Sequence, residues 1–90
     1  MLIMFYVYIL ETTSKKGMKR FYTGHTKDLY KRITQHRMGI GARYCRGKKR
    51  IELKYFETYS DRSSAMKREI EIKSLSRIKK LELIKNFNNG

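Results

Sequence analysis

Ninety residues are enough for one domain, and 22 Lys and Arg against eight Asp and Glu give a formal net charge of +14 with a pI near 10.2. A single cysteine, Cys45, excludes an internal disulfide, and nothing near it has zinc-ligand spacing. With 40% apolar residues and clear periodicity the chain is not a disordered one, and its charge favours a polyanion, nucleic acid first. An anionic membrane fits less well, because no basic helix carries a bulky apolar face.

The apolar opening, Met1 to Leu10, lacks a basic leader and a small-residue cleavage site and is too short to span a bilayer. An intracellular protein, cytoplasmic or associated with nucleic acid, is therefore expected. Met4 to Leu10 reads as a first strand, with Phe5, Val7 and Ile9 on one face and Tyr6 and Tyr8 on the other. Thr12 to Gly17 is a hairpin loop, and Arg20 to His25 a second strand with Tyr22 and Gly24 sharing a face. Tyr8 and Tyr22 then lie on neighbouring strands. A helix over about Asp28 to Met38, capped by Thr26 or Asp28 and ended by Gly39, carries Arg32 and His36 four residues apart. A loop follows over Gly39 to Lys49, then a third strand over Ile51 to Tyr59. Asp61, Ser63 or Ser64 starts a second helix running to about Ser74. Ser76 starts a third, to about Asn86, with Ile78, Leu81 and Ile84 turned inward. The order ββαβαα describes an α+β domain over 1–90, a small three-stranded sheet with flanking helices.

Several side chains in this layout could carry chemistry. On the second helix Glu69 falls within the apolar arc of Ala65, Met66, Ile70 and Ile72, whereas Glu71 falls on the solvated side. An inward carboxylate needs a cation, so Glu69 is either half of a structural ion pair or a ligand for a divalent metal. Arg32 borders the sheet-facing side of the first helix. It is either solvated or placed to grip a phosphate with two parallel hydrogen bonds. His25 and His36 could move a proton or hydrogen-bond the scaffold. A tyrosine serving as general base needs its pKa lowered from about 10 by cations or a metal-bound water, and the chain is rich in cations. Between Gly41 and Arg50 lie five cations, Arg43, Arg46, Lys48, Lys49 and Arg50, together with Tyr44. That loop suits backbone gripping, with Tyr44 stacking on a base or sugar.

Taken together these residues resemble the GIY-YIG nuclease family, above all its small stand-alone branch, the YhbQ/YazA-like proteins. Tyr6-Val7-Tyr8 stands where the family has Gly-Ile-Tyr, and Tyr22-Thr23-Gly24 where it has Tyr-Ile-Gly. Asp28 to His36 looks like the helix bearing the family's arginine and, in several branches, its histidine. Ala65-Met66-Lys67-Arg68-Glu69 is similar to the helix that presents the metal-binding glutamate, and Gly41-Ala42-Arg43-Tyr44 with Arg46-Gly47 to the branch's own loop. The resemblance implies a metal-dependent endonuclease that hydrolyses phosphodiesters in DNA or in structured nucleic acid more broadly. Glu69 would hold one Mg²⁺ or Mn²⁺, Tyr8 or Tyr22 would help activate a water, and Arg32 would offset charge on the phosphate. His36 belongs to the same implied site, and His25 stands where some branches place an assisting lysine. The alternative is a catalytically weak nucleic-acid-binding module of the same fold. The late asparagine of many relatives has no match among Asn86, Asn88 and Asn89. With no appended targeting domain, cleavage would be unselective or directed by a protein partner.

Overall fold

The computed structural model describes residues 3–41 and 45–89. The elements run β1 (Phe5–Thr13), β2 (Lys19–Thr26), α1 (Leu29–Arg37), β3 (Arg50–Tyr59), α2 (Arg62–Lys73) and α3 (Arg77–Asn89). The expected order ββαβαα is the observed one. The three strands form one antiparallel sheet in the order β2-β1-β3, so β1 is central. Its position explains its composition: Val7, Tyr8, Ile9 and Leu10 are all buried, because both faces of the strand are covered. Val7 and Ile9 pack with Tyr55, Ala65, Ile72 and Ile84 beneath α2 and α3. Tyr8 and Leu10 pack with Ile33, Cys45 and Ile51 on the α1 side. Cys45 is thus a core residue, and burial raises its thiol pKa.

The helix ends follow the side-chain chemistry of the sequence. Asp28, not Thr26, caps α1 by accepting the Lys31 N–H at 3.0 Å, and Asp61 caps α2 by accepting that of Ser64 at 2.8 Å. Gly39 stops α1 with φ +77°, a left-handed conformation that favours glycine. A register shift between Ile9 and Leu10 leaves Lys54 as the extra residue on β3.

Two helix faces differ from expectation. Ile84 is buried as expected, but Ile78 and Leu81 are exposed; Leu83 packs against the core beside Ile84, with Phe87 at the exposed margin of that face. Phe87 sets this rotation by stacking edge-on to Tyr55 and Phe56, with centroids 5.3 Å away in both cases. On α2, Met66 and Ile70 are exposed, and the inward side is Ala65, Arg68, Glu69 and Ile72. Arg68 is drawn in by the Glu57 carboxylate of β3, which it binds through Nε and a terminal nitrogen at 3.0–3.2 Å. The same carboxylate accepts the hydroxyls of Tyr55 and Tyr59, and this network ties α2 to the sheet.

Candidate active site

One cleft of about 300 Å³ is lined by Tyr8, Tyr22, Gly24, His25, Arg32, His36, Gly41 and Glu69. All six side chains singled out for chemistry in the sequence meet there. They arrive from opposite sides of the sheet. Alternation turns Tyr8, Tyr22 and Gly24 toward α1 and turns His25 toward α2, and the cleft opens at the β2 edge where the two sets meet. Tyr6 shares the face of Tyr8 but lies outside the cleft, edge-on to Phe56.

On the α1 side Tyr8 is fully buried, and its hydroxyl shares a hydrogen bond of 3.0 Å with Nε2 of buried His36. Tyr22 leans on both, with ring centroids 6.4 Å from Tyr8 and 5.4 Å from His36. Glycine is required on either side of this cluster. A Cβ on Gly24, the direct cross-strand partner of Tyr8, would sit 2.5 Å from the Tyr8 hydroxyl oxygen, and one on Gly41 would collide with the His36 ring. The third position of the second motif thus leaves room for the last residue of the first.

Electrostatics in the cleft differ from expectation. A tyrosine serving as general base would need a lowered pKa, but burial dominates and raises both tyrosines. For Tyr8 the Tyr22 hydroxyl adds to this, and Arg32 opposes it without reversing it. Burial and then Arg32 push the His36 imidazole below its ordinary value. Tyr8 and His36 therefore face each other as a neutral phenol and a neutral imidazole. With the imidazole proton on Nδ1 the phenol donates to Nε2, and with it on Nε2 the ring donates to the phenol oxygen.

On the α2 side Glu69 is largely buried. One carboxylate oxygen bonds His25 Nδ1, and the other lies 2.5 Å from Nζ of Lys73, one turn along the helix. Burial alone would raise this carboxyl, yet the hydrogen bonds from Lys73 and His25 outweigh it and hold the group ionised below its ordinary range. The inward carboxylate is thus an ion pair, and it also faces the tyrosine cleft. Lys73 was not anticipated, although a glutamate four residues before a lysine on a helix was a legible sign of it. Arg32 pairs with no carboxylate among the described residues, so its guanidinium faces the cleft available to an anion.

Among the described residues no three His, Cys, Asp or Glu side chains converge as a metal cage would require. One ionised carboxylate at a polar cleft still fits a hard ion such as Mg²⁺, which keeps several waters and takes only one or two carboxylates plus substrate phosphate.

Arg43 and Tyr44 of the cationic loop lie outside the described residues. Lys48, Lys49 and Arg50 line a separate concavity with Arg37, Arg46 is exposed, and Arg50 pairs with Glu52 at 2.8 Å. No described helix is long and apolar enough to cross a membrane.

Comparison with known proteins places the fold. The family profile of the GIY-YIG catalytic domain matches residues 4–82. A UPF0213 protein of Staphylococcus saprophyticus is 46% identical over 79 residues, 88% of this chain and 92% of its own length. One from Haloquadratum walsbyi is 44% identical over 78 residues, 87% and 83% of the two chains. The solution NMR structure of a UPF0213 protein from Bacillus halodurans superimposes with a TM-score of 0.53 at 40% identity, covering 92% of this chain and 84% of that one. With its sheet order, its paired tyrosine strands and relatives matched over most of their length, the chain belongs to the GIY-YIG family and, within it, to the UPF0213 proteins.

Proposed function

We propose that the chain is a nuclease of the YhbQ/YazA-like kind, which binds nucleic acid, DNA first, and hydrolyses its phosphodiester bonds. The observation that carries this reading is the convergence of Tyr8, Tyr22, His25, Arg32, His36 and Glu69 on one cleft of a chain with formal charge +14. Glu69 would hold a Mg²⁺ or Mn²⁺ ion, which supplies charge stabilisation at the reacting phosphate when bound. Lys73 and His25 keep that carboxylate ionised and oriented in the meantime. Arg32 grips the non-bridging oxygens of the phosphate and offsets the charge that grows on them. Tyr8 stays a phenol, so it activates water by relay. Its oxygen takes a proton from the water as its own proton passes to Nε2 of His36. Tyr22, packed on both rings, holds the relay in place.

A second reading has its own observation. Both oxygens of Glu69 are already engaged inside the protein, which suits a catalytically weak nucleic-acid-binding module. The two readings separate when single-stranded, duplex and branched DNA and RNA are incubated with the protein in Mg²⁺ or Mn²⁺. The nuclease reading expects nicking that Arg32→Ala and Glu69→Gln abolish. Binding without cleavage of any substrate, in either metal, would leave the module.

A further inference from the structure

Two more concavities continue the candidate cleft along α1. The first, about 320 Å³, shares His25 and Arg32 with the cleft and adds the cations Lys27, Lys31 and Arg62. Its one carboxylate, Asp28, is engaged in capping α1. The second shares Lys27 and Asp28 with the first and is larger, about 610 Å³, within the size range of small-ligand sites. Its walls are mostly apolar: the rings of Tyr6, Tyr30 and Phe56, with Leu29, Ile33 and Leu53. Tyr6 and Phe56 stand edge to face, centroids 6.0 Å apart at 63°, so they form a fixed wall. Tyr30 is 84% exposed at the pocket, so the core does not account for it.

A polar cleft, a cationic trough and an aromatic pocket therefore lie in sequence, each sharing residues with the next. That order matches the chemistry of one nucleic-acid strand, whose backbone is anionic and whose bases present flat π-faces. Bases of an intact duplex are stacked and paired and cannot enter a side pocket; an unpaired base can. Building on the nucleic-acid reading above, we infer that the pocket walled by Tyr6, Tyr30 and Phe56 receives an unpaired nucleobase. The strand's phosphates then run through the Lys27, Lys31 and Arg62 trough to Arg32. The preferred substrate thus has an unpaired nucleotide beside the scissile phosphate, and Tyr30 is a specificity-determining residue.

The test is fluorescence anisotropy in EDTA, where nothing is cut, using a labelled DNA oligonucleotide alone and annealed to its complement. Wild type should bind the single strand more tightly. Tyr30→Ala should weaken single-strand binding about tenfold while changing duplex binding less than twofold, and Tyr30→Phe should behave as wild type. A 2-aminopurine base in the single strand should be quenched by wild type and not by Tyr30→Ala. If Tyr30→Ala changes neither affinity nor quenching, or weakens both substrates equally, the pocket does not receive a base, although the nucleic-acid reading stands. A wild-type protein that binds neither oligonucleotide overturns both.

Discussion

In the proposed relay Tyr8 and His36 carry the proton, and burial is the first cause of both pKa shifts, with Arg32 adding to that of His36 and opposing that of Tyr8. Because the His36 pKa is lowered, the neutral imidazole persists below its ordinary value of about 6.5. The acid limb of a cleavage rate–pH profile should therefore fall below pH 6.5, and Tyr8→Phe should slow cleavage by about 10²-fold or more. Thr23 offers a test on stability alone. It is buried, and its hydroxyl finds no hydrogen-bond partner among the described residues, at the motif position where the family carries isoleucine. Thr23→Val should remove that unmet donor and stabilise the fold by about 1 kcal/mol, read as a rise of several degrees in the thermal midpoint. Six side chains that line the candidate cleft were legible in the sequence as candidates; their pKa directions were not. Counting cations along the chain does not reveal that Tyr8 sits buried on the central strand, where desolvation outweighs a nearby guanidinium.

The elements were read from local signals, and their boundaries held where a capping or stop residue marked them: Asp28 and Asp61 as caps, Gly39 as a stop. The tyrosine-bearing runs are strands as expected, but β1 continues past Leu10 to Thr13, because Thr12 and Thr13, read as loop, pair with β2 and β3 on either side. Helix rotation was not legible, because α2 and α3 carry apolar residues on more than one side. Their orientation is decided by distant partners, Glu57 for Arg68 and the Tyr55–Phe56 pair for Phe87. Glu57→Ala should therefore release α2 from β3 and cost about 2–3 kcal/mol in urea unfolding. Burial would raise the Glu57 carboxyl, but the bonds from Arg68, Tyr55 and Tyr59 outweigh it and hold it below the ordinary range. A depressed folded value stabilises above the unfolded pKa and is lost as pH falls through the folded one. Acidification below about pH 4 should accordingly destabilise wild type more than Glu57→Ala. The strand pairing gives a second test. Gly24→Ala places a methyl against the Tyr8 hydroxyl, so it should cost about 1–3 kcal/mol and lower cleavage at least tenfold.

At the scale of the whole molecule, the excess of positive charge is a general attractor for a polyanion. With formal charge +14, binding to nucleic acid should weaken steeply with salt. If Arg32, Lys31 and Arg62 each meet a phosphate, log K should fall against log salt with a slope of about −2 or steeper for a single strand. The sheet brings six side chains from β1, β2, α1 and α2 to one edge, and Glu69 is the residue that separates an enzyme from a binding surface. The central claim is tested most directly by measuring, on one labelled oligonucleotide, the Mg²⁺-dependent cleavage rate and the affinity of wild type and Glu69→Gln together. We predict that wild type cuts, that Glu69→Gln loses at least a hundredfold in rate, and that the two bind alike. Equal cleavage by both proteins, or no cleavage by a wild type that binds, would contradict it.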